Sequence, residues 1–253
     1  MDFLIKHPPI VLALSFFLLW LSARIGLFVR MRQLKEEIDV HQDLDIIVSA
    51  TLTLLGLIIG FSFSMAISRY DQRKNYEEAE ANAIGTEYLR ADLLPSADRS
   101  NVRALLRNYL NQRILFYGTR DDYALSQIDA TTVQLQTELW SAVRIPAGAQ
   151  PTPMLALAVS GMNDVLNSQG YTQAAWWNRI PSGAWFLMAA VAICSNVLIG
   201  YDCCRARAVR LLVLPLVLCS AFYAIADIDS PRRGAIRVHA QNLISLAESL
   251  HGH

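Results

Sequence analysis

Ile46-Ile-Val-Ser-Ala-Thr-Leu-Thr-Leu-Leu-Gly-Leu-Ile-Ile-Gly-Phe-Ser-Phe-Ser-Met-Ala-Ile-Ser68 carries no charge, and a heavily charged stretch from Arg69 to Arg90 follows with no proline before Pro95. The first part is long enough to cross a bilayer, which takes about 20 apolar residues. At 1.5 Å per residue, Ile46 to Leu94 predicts one rod of roughly 70 Å, about twice the hydrocarbon thickness. Ser49, Thr53, Gly56, Gly60 and Ser64 recur at spacings of four, three, four and four, so one helix face carries only small residues. Either another helix packs closely there or something small and polar passes along it.

The remaining composition agrees with a membrane protein. Hydrophobic residues make up 53% of the 253 and charged residues 17%, and the apolar excess is concentrated in blocks. Formal net charge is zero and no basic run points to nucleic acid. Cys194, Cys203, Cys204 and Cys219 lie in or between the last two apolar blocks without a C-x-x-C pair, so no disulfide framework is expected. The N-terminus lacks the strong positive region of a cleavable signal. His7, His41, His239, His251 and His253 stand beside no plausible nucleophile, and no phosphate-cradling glycine loop or zinc spacing is present. Neither an enzyme nor a cofactor is expected.

Outward from the rod, a first span runs from about Pro9 to Val29, with Pro8 and Pro9 suited to a helix start. Arg24 is read as an interfacial anchor in preference to an ion-path charge. In the connector, Glu37, His41 and Asp45 would share a helix face, a weak cation candidate against the plainer reading of a solvated acidic segment. Beyond the second span, Arg73 with Glu77 and Lys74 with Glu78 read as exposed i,i+4 pairs.

A helix capped by Ser96-Ala-Asp98 follows, then a loop from Gly118 to Tyr123 and a helix opened by Ser126-x-x-Asp129. Pro146, Gly148, Pro151 and Pro153 read as a break, and a further segment, Met154 to Asn167, closes at Gly170. Such a domain of roughly a hundred residues is expected to have little core of its own. Trp176, Trp177 and Trp185 read as an interfacial belt, and spans three and four run from about Gly183 to Gly200 and Leu211 to Ala226. Asn196 in the third either lines a pathway or, the preferred reading, bonds another helix. Ser230-Pro231 is expected to start a terminal helix with Ile236, Ala240, Leu243, Ala247 and Leu250 on one stripe.

The fold class is therefore an all-α integral membrane protein with four transmembrane helices, the second continuing into a long helix of an extramembrane helical domain. Its parts are the first two spans (1–68), the helical domain (69–182), spans three and four (183–230) and an amphipathic C-terminal helix (231–253). Arg30, Arg32, Lys35, Arg205, Arg207 and Arg210 put the two short loops in the cytoplasm, leaving both termini and the helical domain extracytoplasmic.

At Gly60-Phe-Ser-Phe-Ser-Met-Ala66, Arg69-Tyr-Asp71, Arg73 and Glu80-Ala-Asn-Ala-Ile-Gly-Thr86, the sequence resembles the bestrophin-like domain family of bacterial membrane proteins. The resemblance continues at His41-Gln-Asp43, Asp229-Ser-Pro231, Gly234 and Arg237-Val238. It implies a bacterial inner-membrane protein distantly related to bestrophins, which are oligomeric anion channels whose second span lines the pore. By that likeness Ser49, Thr53, Gly56, Gly60, Phe61, Ser64 and Met65 are pore-lining candidates. Arg69, Asp71, Arg73, Asp227, Asp229 and Arg237 are pore-mouth or interhelix charges, with Arg69 or Arg73 set against Asp227 or Asp229 as a pair near lipid. Bestrophins keep their helical domain in the cytoplasm, contrary to the loop charges here, and the arginines after Asp229 do not imply calcium gating. The expected function is an oligomeric channel for chloride or other small anions, with lipid and further copies of the chain as partners. The alternative is a non-conducting scaffold or sensor whose helical domain binds a partner.

Overall fold

A computed structural model describes residues 7–33, 41–202 and 210–251. Its helices are α1 (Pro8–Gln33), α2 (His41–Arg90), α3 (Ser96–Gly118), α4 (Asp122–Ala149), α5 (Pro153–Trp177), α6 (Ser182–Asp202), α7 (Arg210–Asp229) and α8 (Gln241–His251), with a 3₁₀ turn at Ala91–Leu93. No strand occurs among the described residues. Among the described residues, four helical stretches are long and apolar enough to cross a membrane: Pro8–Arg32, Leu44–Leu93, Pro153–Asp202 and Leu211–Asp229. The third is interrupted at 178–181, so its crossing part is α6. In α2 the charge-free crossing segment is Ile46 to Ser68. The chain forms two compact units, Met1–Arg69 with Arg179–Arg237, and Tyr70–Asn178 with Val238–His253.

In the first unit α1 packs on α6 and α7. A Cβ on Gly26 would lie 2.0 Å from the Val197 carbonyl oxygen, and one on Gly200 would lie 1.9 Å from that of Ala23. The two backbones therefore touch, the close approach that small residues permit between helices in lipid. Arg30 donates to the carbonyls of Tyr201 (2.9 Å) and Asp202 (2.6 Å), satisfying orphan acceptors at the negative end of α6. Hydroxyls in the spans bond back to their own helix, as Ser22 does to the Leu18 carbonyl. Asn196 likewise donates to the Ala192 carbonyl of its own helix, in place of the cross-helix bond expected of it.

The second unit has a full apolar core, contrary to the expectation from its size. Ile84, Val102, Leu106, Tyr109, Phe116, Leu139, Val143, Met162, Val165 and Leu243 are all completely buried within it. Trp176 belongs to this core and not to a membrane belt: its ring stands edge-on to Phe116 (5.0 Å) and Tyr117 (5.5 Å).

Several boundaries move. α3 has Pro95 as its N-cap residue, with no side-chain cap. Asp121 caps α4 through a 2.8 Å bond from the Ala124 N–H, so the Ser126 motif lies inside the helix. Pro146 is also inside α4. It sits one turn from the end, where it forfeits a single hydrogen bond while its ring is buried. The break is the short segment 150–152, where the Thr152 hydroxyl caps α5 ahead of Pro153. α5 runs through Gly170 to Trp177, because buried Thr172, Ala175 and Trp176 outweigh a glycine cost of about 1 kcal/mol.

The terminal helix starts at Gln241, not Ser230. The Asp227 carboxylate accepts from the N–H groups of Ala235 (2.7 Å) and Ile236 (2.9 Å), folding 230–236 into a tight loop. Gly234 fits there because a Cβ would meet the Asp227 carbonyl oxygen at 2.2 Å.

Candidate pore face and charged seam of the second helix

Along the crossing part of α2, Leu55, Ser62 and Ala66 are buried within the subunit. The opposite side is bare. Ser49, Thr53, Gly56, Gly60, Phe61, Ser64 and Met65 are all exposed, and a Cβ on Gly56 or Gly60 would meet nothing within 4 Å. Only 11% of the apolar window of α2 is buried, so one subunit leaves most of this helix uncovered. Phe61, 65% exposed, is the largest side chain beside the small face. The same spacing of three or four continues past the stretch read from sequence, through Ser68, Asp71, Asn75, Ala79, Asn82 and Thr86, all exposed.

The other side of the polar half is a buried seam. Arg73, Glu77, Glu80, Ile84, Glu87, Ala91 and Leu94 alternate at spacings of four and three, and every one is buried. That is the spacing of a helix seam, here filled mainly by charges. The Arg73–Glu77 pair is therefore not the exposed surface pair expected from sequence; Lys74 and Glu78 are the exposed residues.

Each buried charge has chemistry to do. Arg73 donates to the carbonyls of Ala175 (3.2 Å) and Asn178 (3.2 Å), at the negative end of α5. Glu77 accepts from the Asn242 N–H (2.9 Å), the Asn242 side-chain amide (2.6 Å) and the Leu243 N–H (3.0 Å), capping the positive end of α8. Glu80 accepts from Arg113 Nε, from Tyr117 Oη (3.3 Å) and from Thr172 Oγ1 (3.1 Å). The Arg113 guanidinium also lies 4.3 Å over the Phe116 ring. Burial alone would lower the Arg113 pKa, but the Glu80 carboxylate outweighs it and the net shift is upward. Burial, reinforced by Glu80, moves the phenols of Tyr109 and Tyr117 upward.

Glu87 differs from its neighbours. It is fully buried, yet neither carboxylate oxygen has a hydrogen-bond partner among the described residues. Burial pushes its carboxyl up to about 8, with Arg90 opposing and Asp164 adding to the shift. Gly161 of α5 leaves it room: a Cβ there would stand 2.0 Å from Glu87 Oε2. Glu87 lies 19 residues beyond Ser68, roughly 28 Å along the helix and outside the crossing segment.

Of the other charges singled out from sequence, Asp71 is exposed. Arg69 is half-buried, with Nη2 3.5 Å from Met65 Sδ and an enclosed Nη1 that has no acceptor among the described residues. Asp229 accepts from the Ile180 N–H at 3.2 Å, and Arg237 has an enclosed Nε without an acceptor. Arg24 is exposed with its guanidinium 5.7 Å over the Trp20 ring. Glu37 and the His41 side chain lie outside the described residues, as do Cys203 and Cys204; Asp45 is exposed. No group of three metal-ligating side chains occurs among the described residues. The sequence signal that reveals the buried seam is its four–three alternation, which opposite charges four apart disguise as surface pairing.

Four membrane-length stretches, with the second carrying a helical unit beyond the bilayer, define a polytopic all-α membrane protein. The Bestrophin-like domain model matches residues 11–243, and the chain belongs to that family. The resemblance drawn from the Gly60–Thr86 motifs is thereby borne out. Two crystal structures of a bacterial bestrophin homologue from Klebsiella pneumoniae, one a point variant and one phased on zinc, share the fold at TM-score 0.69 and 12% identity. The match covers 96% of this chain and 99% of the variant, and 95% and 97% for the other. A crystal structure of a membrane protein variant aligns equally well, at TM-score 0.69 and 12% identity over 95% of this chain and 97% of that one. No curated protein matches the sequence.

Proposed function

We propose that the protein is a homo-oligomeric ion channel of the bacterial cell membrane that conducts small anions along the exposed face of α2. The observation that carries this reading is the bare small-residue face, with open space at Gly56 and Gly60. A single subunit with so few spans encloses no pore, so a path requires copies arranged around an axis. Rings of Ser49, Thr53 and Ser64, narrowed by Phe61 and Met65, suit a weakly selective route. The positive charge of the Arg69 guanidinium, beside Met65, favours anions there. The loop charges support extracytoplasmic termini and helical unit.

Asp71 supports a second reading, because it is exposed on the same stripe while Arg73 is occupied in capping α5. A ring of carboxylates favours cations.

Purified protein in liposomes should pass chloride, with flux altered by Gly60→Leu and by Phe61→Ala. A reversal potential under a potassium chloride gradient that follows potassium would replace the anion reading with the cation one, and Asp71→Asn should then shift it. Silent liposomes holding intact oligomers would leave the scaffold or sensor.

A further inference from the structure

On α3, Arg99, Arg103 and Arg107 recur at spacings of four and form a ladder on one face. Like charges so placed weaken a helix. The structure compensates only part of this. One carboxylate, Asp92 on the 3₁₀ turn, lies 3.5 Å from Arg99 Nε and 2.9 Å from Arg103 Nη2. Arg99 also donates to the Asp92 carbonyl at 3.3 Å. No other carboxylate comes within 4.0 Å of these guanidinium groups among the described residues, which leaves three positive charges against one negative.

Tyr88 of α2 holds the ladder in shape. Arg103 lies 4.9 Å over its ring and donates to its carbonyl at 3.4 Å. Arg107 lies 6.0 Å from the ring centre and donates to the phenol oxygen at 3.1 Å. Arg103 Nη1 and Arg107 Nε and Nη2 have no protein acceptor among the described residues. The Arg99 and Arg103 side chains remain 41% and 29% exposed, open to a ligand yet already ordered.

We propose that Arg99, Arg103 and Arg107, ordered by Tyr88, form a binding site for a phosphate group. A phosphate monoester carries nearly two negative charges near neutral pH, which matches the uncompensated charge of the cluster. Its oxygens accept the paired, planar donors that guanidinium groups present, a match lysines do not provide. Ordering against Tyr88 and Asp92 removes part of the entropy cost of binding. The phosphate belongs to a soluble molecule, because Tyr88 stands 20 residues, roughly 30 Å of continuous helix, beyond Ser68 and out of reach of a lipid headgroup.

The test is calorimetric titration of the full-length protein in detergent with inorganic phosphate, against sodium chloride at equal ionic strength. A parallel arm uses nanodiscs of phosphatidylcholine with or without phosphatidic acid. Saturable binding of free phosphate assigns a soluble ligand. Saturation only with phosphatidic acid overturns the soluble-phosphate site. Arg107→Gln, which gives up a guanidinium hydrogen-bonded to the Tyr88 phenol, should weaken binding at least tenfold, Arg107→Lys should restore part of it, and Arg144→Gln on exposed α4 surface should change nothing. No saturable binding beyond chloride in both arms, or equal affinity in Arg107→Gln, overturns the proposal. Neither result depends on conduction.

Discussion

Replacing Arg113 by Met should destabilise the helical unit by about 3–5 kcal/mol, the usual cost of stranding one partner of a buried ion pair. Arg113 and Glu80 are both completely buried, so no water can replace the lost guanidinium. The Tyr117 and Thr172 hydroxyls would still donate to Glu80, which keeps the loss within that range. Glu80→Gln should cost a similar amount by leaving Arg113 buried against a neutral acceptor. Combining the two should cost clearly less than their sum, by about 2 kcal/mol or more, because the pair is either kept or removed together. Near-UV circular dichroism in detergent suits the measurement, since Trp176 packs on Phe116 and Tyr117 beside the network. A loss of this size should lower the melting temperature by on the order of 10 °C. A change below about 1 kcal/mol in Arg113→Met, or strict additivity of the two variants, would refute the view that this pair organises the core.

Gly60→Leu should leave melting and oligomer size unchanged while altering flux, whereas Gly200→Leu should abolish assembly, because its first side-chain atom would sit 1.9 Å from the Ala23 carbonyl oxygen; size-exclusion chromatography separates these outcomes. Glu77→Ala removes every acceptor it offers to Asn242 and Leu243, so hydrogen exchange over 241–251 should rise by at least tenfold while α3 to α5 stay protected. The Glu87 carboxyl binds its proton more tightly in the fold than in the unfolded chain, its value rising from 4.5 to about 8. Its stabilising contribution is therefore complete below about pH 4.5 and lost as pH rises through about 8. Melting temperature should fall between about pH 5 and 8, level off above that, and fall less in Glu87→Gln; a wild-type profile as flat as the variant's would contradict the buried neutral carboxyl.

The spans were legible because lipid tolerates only long unbroken apolar helices, a demand written directly into composition. The helical unit was less so, for a reason visible at three places. Pro146 and Gly170 carry local costs that burial of their neighbours exceeds, and Asp121 captures the start of α4 that Ser126 also offered. Opposite charges four apart, such as Arg73 and Glu77, look the same in sequence whether water or a helix end surrounds them. What decides is a partner distant in sequence: Thr172 stands 92 residues from Glu80, and Leu243 stands 166 from Glu77. The bare face of the crossing segment follows the opposite logic. A helix meant for lipid alone would hide its hydroxyls and glycines and present its bulk outward. Here Leu55, Ser62 and Ala66 are buried, while Ser49, Thr53, Gly56, Gly60 and Ser64 are bare beside exposed Leu54, Leu57 and Phe61. Lipid gains little from such a surface, since glycine offers no side-chain area and the Thr53 hydroxyl already bonds the Ser49 carbonyl at 2.8 Å. The face suits a water path or the close approach of another helix, and flux against oligomer size in Gly60→Leu decides between them.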